Sequence, residues 1–203
     1  MFYRLVIKKY LDIFVSFITL ILLLPLLIII GFLNLFLNGR PIFFKQERPG
    51  YKGKLFTLIK FRTMDVETKE FKNDQKRLNN FGRFLRKTSL DELPSLFNVL
   101  KGELSFVGPR PLLKKYLGLY SAYQAKRHDV YPGLSGLAQI KGRNLLDWER
   151  KLDYDVRYVN TQSLILDLKI IMLTFIIILK RKGISPIDNE IMPEFKPKSN
   201  FLS

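Results

Sequence analysis

Residues 13–38 read IFVSFITLILLLPLLIIIGFLNLFLN, a run without a single charged side chain. A helix of about 20 apolar residues crosses a hydrocarbon core of about 30 Å, and the part from Ile13 to Leu33 is already that long. The run lacks the small-residue cleavage site of a secretory signal. The segment therefore predicts a helix that enters the membrane and stays there.

Two features argue against a simple crossing of the bilayer. Pro25 lies in the middle of the run, where it removes a helix hydrogen bond and bends the chain. Basic residues flank the run on both sides: Arg4, Lys8 and Lys9 before it, and Arg40, Lys45 and Arg48 after it. Because positively charged flanks stay in the cytoplasm, we expect a re-entrant helix broken at Pro25. A single crossing with a proline kink is the alternative, and the residues alone leave both open.

The composition restricts the partners. Lys and Arg number 34 against 18 acidic residues, a net charge of +16 over 203 residues, which implies a polyanionic partner. Nucleic acid, the anionic inner leaflet or a phosphorylated substrate would each suit it. Hydrophobic residues make up 47%, enough for a core, and the absence of cysteine excludes disulfides and thiolate metal sites.

The rest of the chain predicts a mainly α fold with a small β-hairpin. The β-rich runs at 42–46 and 54–62 flank the turn residues 48–53. Residues 170–179 are apolar but too short to cross a membrane, and the basic run 180–182 follows them. This pattern predicts an amphipathic helix in the membrane interface. A buried core helix is the alternative.

Two adjacent carboxylates lie in the run Ser89-Leu90-Asp91-Glu92-Leu93-Pro94. Proline is tolerated in the first turn of a helix, so we expect a helix to start near Ser89 to Asp91. Ser89 and Glu92 have the spacing of a capping box. The acids would then lie at the positive end of the helix dipole, where a phosphate also binds well. The alternative is that both acids only cap the helix.

Arginines surround these acids in the sequence, with Arg86 before them and Arg110 between two prolines after them. An ionised aspartate can attack phosphorus, Mg²⁺ prefers one or two carboxylates plus substrate phosphates, and arginine binds phosphate oxygens in a fork. Asp91, Glu92, Arg86 and Arg110 could therefore form a phosphoryl-transfer site. A passive ion cluster would have the same residues, and spacing alone does not show that they converge.

Several ordered segments together resemble one known family. They are Lys60-Phe61-Arg62-Thr63-Met64, the run 89–94, Phe97-Asn98-Val99-Leu100-Lys101-Gly102, Gly108-Pro109-Arg110-Pro111 and Pro132-Gly133-Leu134-Ser135-Gly136. The chain resembles, from its N-terminus to about Ser185, the bacterial sugar transferases, monotopic phosphoglycosyl transferases that begin glycan assembly on a lipid carrier. His128-Asp129-Val130 and Gly142-Arg143-Asn144 are most similar to the members that initiate bacterial N-linked glycans.

The resemblance implies transfer of a sugar 1-phosphate from a UDP-sugar, expected to be N-acetylated, to undecaprenyl or a similar polyprenyl phosphate, with release of UMP. It implies a ping-pong mechanism through a covalent phosphosugar on Asp91. Glu92 would assist catalysis and, with Asp91, place Mg²⁺. Arg86, Arg110 and Lys60 match substrate phosphate-binding positions.

The resemblance also implies further site residues and a topology. Other positions expected in or near the active site are Asp167, Arg62, Pro109 and Pro111. The family's N-terminal helix is re-entrant, with the bend here at Leu24 and Pro25. The family often has serine where this chain has Leu24, and a serine hydroxyl could bond the broken backbone.

These expectations divide the chain into a re-entrant membrane helix hairpin (1–39), a cytoplasmic catalytic domain with membrane-surface helices (40–185) and an irregular tail (186–203). The location would be the cytoplasmic face of the bacterial inner membrane, with anionic lipid and no nucleic acid as partners. A homodimer is left open. The rival functions are a polyprenyl phosphatase or pyrophosphatase using the same aspartate, and a membrane scaffold that binds anionic lipid.

Overall fold

The computed structural model describes residues 6–64, 77–142, 146–180 and 194–196. These parts are mainly helical and include a small β-hairpin, as the sequence predicts. The helices and strands are α1 Lys8–Asn38, β1 Phe43–Pro49, β2 Leu55–Phe61, α2 Asn80–Thr88, α3 Leu96–Leu100, β3 Ser105–Val107, α4 Ala122–Ala125, β4 Gly133–Ser135, α5 Leu137–Lys141, α6 Trp148–Thr161 and α7 Leu164–Lys180. Short 3₁₀ helices lie at Tyr51–Gly53, Leu90–Ser95, Lys114–Leu119 and Lys126–Asp129.

Helix α1 is, within the described ranges, the one helix long and apolar enough to cross a membrane. One stripe of it is buried along nearly its whole length, at Lys8, Ser16, Leu20, Leu27, Ile30 and Asn34. These spacings place the residues on a single helix face, so the helix lies along the rest of the protein. The opposite face is apolar and exposed, Leu24 included. α1 continues through Pro25 as a single helix, so the bend there stays a prediction.

The hairpin forms as predicted from its turn residues. β1 and β2 pair antiparallel from Phe43 opposite Phe61 to Pro49 opposite Leu55. Phe61, at the end of β2, packs in a core cluster with Leu20 and Leu27 of α1 and with residues of α2 and α3. The base of the hairpin is thereby held between α1 and the segment that carries the paired acids.

A second small sheet joins β3 to β4. The two strands pair parallel, with Ser105 opposite Gly133 and Val107 opposite Ser135. They approach so closely that a Cβ on Gly133 would lie 2.0 Å from the backbone nitrogen of Gly108, so a side chain there would require the backbone to move. Val107 packs in a core cluster with residues of α5, α6 and α7.

Helix α7 presents two different faces. Asp167 and Ile170 are buried, whereas Ile165, Phe175 and Leu179 are 81%, 64% and 80% exposed. A fully buried core helix is therefore wrong, and the interfacial placement stays a prediction. Of the tail predicted at 186–203, only 194–196 lie within the described residues. They have no regular secondary structure, and the predicted domain boundaries stay predictions.

Candidate active site

The paired acids lie in the 3₁₀ helix Leu90–Ser95, immediately after α2. Ser89 ends α2 in a left-handed conformation with φ of 57°, and its side chain makes no cap hydrogen bond. The predicted capping box is therefore wrong, although the helical turn begins at the predicted place. Instead of bonding a backbone N–H, the Glu92 carboxylate binds two cationic side chains. Charge-assisted hydrogen bonds of this kind are about twice as strong as neutral ones. Glu92 therefore binds the two cations in preference to a backbone N–H.

Glu92 joins three separate parts of the chain. Its Oε1 accepts a hydrogen bond of 2.6 Å from Lys60 Nζ of β2 and one of 2.6 Å from Nη2 of Arg110, which follows β3. The Lys60 and Glu92 side chains are only 20% and 22% exposed, whereas Arg110 is 45% exposed. The structure thus brings Lys60, Glu92 and Arg110 together, with Arg110 open to solvent.

Two buried side chains hold the turn against β2 beside Lys60. Ser95 Oγ donates to the carbonyl of Ile59 at 2.7 Å. Asn98 Oδ1 accepts from the Ile59 N–H at 3.1 Å, and its Nδ2 donates to the Thr57 carbonyl at 2.8 Å. The backbone N–H and carbonyl of Ile59 are therefore both bound by side chains that follow Glu92 in the chain. These bonds fix the position of Lys60 relative to Glu92.

Asp91 differs sharply from its neighbour. Among the described residues, its carboxylate has no hydrogen-bond or ion-pair partner. Burial and the nearby Glu92 charge raise its pKa from 3.8 to about 6, although Lys60 and two arginines act in the opposite direction. Burial also acts on Glu92, but Arg110 and Lys60 outweigh it and hold the pKa of Glu92 well below its usual range. Glu92 is thus the stronger acid of the two, and Asp91 is a carboxylate of raised pKa that no other described side chain binds.

Arg86 adds a third positive charge near the acids. Its Nε donates to Thr63 Oγ1 at 2.8 Å, which connects α2 to the end of β2, and its charge acts on the pKa of Asp91. The site therefore holds three positive charges, on Arg86, Lys60 and Arg110, against two carboxylates. An excess of one positive charge around a carboxylate suits a phosphate-bearing ligand.

The acids also fit the ligand pattern of Mg²⁺. No group of three or more His, Cys, Asp or Glu side chains gathers within the described ranges, so an all-protein metal cage is not present there. Mg²⁺ commonly takes only one or two carboxylates and completes its shell with water and substrate phosphates. The Asp91 carboxylate and the second oxygen of Glu92 have the chemistry to be such a pair.

The remaining predicted residues lie in other surroundings. Arg62 is buried and its Nη2 donates to the carbonyls of Asn38 and Gly39 at the end of α1. Asp167 is buried with Lys8, whose Nζ lies 2.9 Å from Oδ2. Arg62 and one oxygen of Asp167 thus bind α1, and the other Asp167 oxygen accepts a hydrogen bond from the Tyr158 hydroxyl at 2.6 Å.

Pro109 and Pro111 flank the arginine that binds Glu92, and their carbonyls accept hydrogen bonds from Gly133 and Arg48. Thr63, Ser95 and Asn98 contribute to the site although no sequence motif predicts a role for them. Each lies within or next to a segment that carries the family resemblance, which was the only available signal.

The chain matches the family model described as bacterial sugar transferase over residues 3–181. The sugar transferase EpsL of Bacillus subtilis is 51% identical over 168 residues, which cover 81% of this chain and 83% of EpsL. The UDP-glucose:undecaprenyl-phosphate glucose-1-phosphate transferase of Klebsiella pneumoniae is 42% identical, covering 84% of this chain and 40% of that protein.

The undecaprenyl-phosphate galactose phosphotransferase of Salmonella typhimurium is 36% identical, covering 87% of this chain and 41% of that protein. The chain therefore spans most of EpsL but less than half the length of the two larger relatives.

Proposed function

The chain belongs to the bacterial sugar transferase family, and from this premise we propose that it transfers a sugar 1-phosphate from a UDP-sugar to undecaprenyl phosphate. The products are UMP and a sugar linked to the lipid through a diphosphate. The names of its relatives describe this reaction for those proteins. The observation in this chain that supports it best is the Asp91 carboxylate, which is near three cations and has no hydrogen-bond or ion-pair partner among the residues that the structure describes.

The proposed chemistry has two balanced steps. In the first, an oxygen of Asp91 attacks the phosphorus that carries the sugar. The bond from that phosphorus to the bridging oxygen breaks, and UMP leaves with the electron pair. In the second, an oxygen of undecaprenyl phosphate attacks the same phosphorus, and the bond to Asp91 breaks to restore the carboxylate. A pKa of about 6 keeps Asp91 mainly ionised at pH 7.

The other charged residues stabilise the phosphoryl group as it moves. Glu92 holds Lys60 and Arg110 on one oxygen, so both cations are fixed before the substrate arrives. Preorganised donors of this kind supply most of the catalysis in phosphoryl transfer. Asp91 and Glu92 would hold Mg²⁺, which when bound neutralises negative charge on the substrate diphosphate.

Contacts at both ends of α1 support the re-entrant topology. Near its start, Ser16 Oγ donates to the Leu96 carbonyl at 2.8 Å. Near its end, Asn34 Nδ2 donates to the Arg62 carbonyl at 3.0 Å. A helix that crossed the bilayer once would carry one end away from the domain on the other side. We therefore place the protein on the cytoplasmic face of the bacterial inner membrane, with the bend near Pro25.

A labelling experiment tests this topology. The chain has no cysteine, so single cysteines at Val6 and Arg40 would be unique labelling sites. Both should react with a membrane-impermeant maleimide in inside-out vesicles, and neither should react in intact spheroplasts. Labelling of one position from each side would show a single crossing instead.

We expect Arg40 and Lys45, which lie beside the exposed Phe44, to contact anionic lipid.

The function itself is tested with a panel of UDP-sugars, N-acetylated ones included, offered with undecaprenyl phosphate and Mg²⁺. We expect UMP and a lipid-linked sugar from the wild type and neither from Asp91→Asn. Release of inorganic phosphate without a sugar lipid would indicate the phosphatase. Absence of turnover with every sugar would contradict the assignment. The N-acetylated donor, the N-linked glycan pathway and a homodimer stay predictions.

A further inference from the structure

Each backbone carbonyl of the loop at 109–111 accepts a hydrogen bond from another part of the protein. The Pro109 carbonyl accepts from the Gly133 N–H at 3.0 Å. The Arg110 carbonyl accepts from Arg127 Nη2 at 2.6 Å. The next carbonyl along, that of Pro111, accepts from an arginine of β1 at 3.3 Å. Since proline lacks an N–H, these carbonyls are the principal groups through which the rest of the protein can fix the loop.

The donor to Arg110 belongs to a fully buried ion pair. Arg127 Nε and Nη2 donate to Asp155 Oδ2 at 3.0 and 2.7 Å, and the two side chains are 1% and 2% exposed. A buried guanidinium is tolerated only when it is paired and hydrogen-bonded. Because Asp155 lies within α6, the guanidinium is anchored to a 14-residue helix. Arg127 thus connects that rigid element to one specific carbonyl of the loop.

The side chain of Arg110 starts from the residue whose carbonyl is held in this way, and its own Nη2 ends on Glu92 at 2.6 Å. A small displacement of that backbone would move the guanidinium away from Glu92 and from a bound phosphate. Arg127 itself is buried, and it contacts the loop at the Arg110 carbonyl, so it acts through Arg110. The Arg110 side chain is 45% exposed, so the position of its backbone and its contact with Glu92 are what place its guanidinium.

We propose that Arg127, oriented by Asp155, is a positioning residue that sets the Arg110 guanidinium for the diphosphate of the donor. The inference deepens the proposed function, because the diphosphate is part of the UDP-sugar. It predicts that weakening this contact reduces affinity for diphosphate without a corresponding loss of folded protein.

The test compares variants by the binding of inorganic pyrophosphate, measured by calorimetry, and by the KM and kcat for the UDP-sugar. Arg127→Lys keeps a cation beside Asp155 but lacks the planar fork that serves two acceptors. We expect a loss of about tenfold in pyrophosphate affinity, the size of one charge-assisted hydrogen bond. The KM for the donor should rise in parallel while kcat changes less.

Two further variants separate positioning from general destabilisation. Asp155→Asn keeps the shape of the pair but removes its charge, and it should lose affinity as Arg127→Lys does. Because Asp155→Asn leaves the buried Arg127 cation beside a neutral partner and so lowers stability, affinity is compared per mole of folded protein in every variant. Val159→Ala opens a cavity in the same helix, where Val159 is buried in a cluster that contains no residue of the loop. It should lower stability and leave pyrophosphate affinity unchanged.

Unchanged affinity in both Arg127→Lys and Asp155→Asn would overturn the inference. An equal loss of affinity in Val159→Ala would also overturn it, since the effect would then follow stability alone. A wild type that binds pyrophosphate but releases no UMP would instead contradict the proposed function and leave the positioning result standing.

Discussion

Replacing Asp91 with asparagine should stabilise the fold at pH 7 while abolishing turnover. Burial and Glu92 raise the pKa of Asp91 to about 6 in the folded protein, against 3.8 in an ordinary aspartate. Between these values the folded chain binds a proton that the unfolded chain has released. Folding stability therefore falls as the pH rises through this window. Each pKa unit corresponds to about 1.4 kcal/mol, so the ionised carboxylate costs about 3 kcal/mol at pH 7.

Asparagine has nearly the same shape and no charge, so Asp91→Asn should recover much of this free energy. For a domain of this size, 1 kcal/mol shifts Tm by about 2–4 °C. We expect a rise of about 6–12 °C at pH 7 that disappears near pH 4, where aspartate is protonated in the folded state. Thermal unfolding in detergent micelles with EDTA, from pH 4 to 8, measures it without bound metal.

Asp153→Asn is the matched control, because Asp153 is exposed and the charge change is the same. It should shift Tm by no more than a surface substitution usually does, within about 0.5 kcal/mol. An Asp91→Asn variant that is no more stable than wild type at pH 7 would contradict the raised pKa of Asp91. A gain in Tm of equal size at pH 4 would also contradict this explanation, because Asp91 is protonated at that pH and its charge could not be the cause.

Three other substitutions give results of predictable sign. Glu92→Gln leaves Lys60 without its carboxylate partner and should lower both turnover and stability, the latter by about 1–3 kcal/mol in a denaturant melt. Asn34→Leu removes one of the two donors from the Ile42 and Arg62 carbonyls at the end of α1 and should cost about 1 kcal/mol by the same assay. Phe195→Ala empties an aromatic pocket and should cost up to about 3 kcal/mol, whereas the exposed Lys196→Ala should cost nearly nothing.

The hairpin could be predicted closely because its information is local. The turn residues at 48–53 and the β-rich runs beside them specify two strands, observed at Phe43–Pro49 and Leu55–Phe61. Apolar spacing likewise indicated a helical segment after Asp91. These features depend on neighbours within a few residues along the chain.

The details of the acidic turn could not be predicted, because they depend on distant partners. The capping box at Ser89 and Glu92 satisfies every local criterion, yet Glu92 binds a lysine from β2 and an arginine beyond β3. The buried pair of Arg127 and Asp155 has no local signal at all. Pairing between distant charges depends on how the elements pack, which single-residue spacing does not specify.

The orientation of α1 shows another limit of sequence reasoning. Its middle is apolar on all sides, so hydrophobicity alone does not indicate which face packs on the protein. Ser16 and Asn34 are two of the few polar residues in the run, and both lie on the buried face with their hydrogen bonds made. An isolated polar residue in an apolar helix was the available clue, and it was not used in the prediction.

The proposed mechanism requires a covalent bond between Asp91 and the phosphorus that carries the sugar. The most direct measurement is the intact mass of the enzyme incubated with UDP-sugar and Mg²⁺ but without lipid acceptor, followed by peptide mapping. We expect the mass of one sugar phosphate to be added on Asp91 and to be lost when undecaprenyl phosphate is supplied. Asp91→Asn should show no added mass. An enzyme that turns over in the full assay, yet carries no adduct at that residue under donor alone, would contradict it.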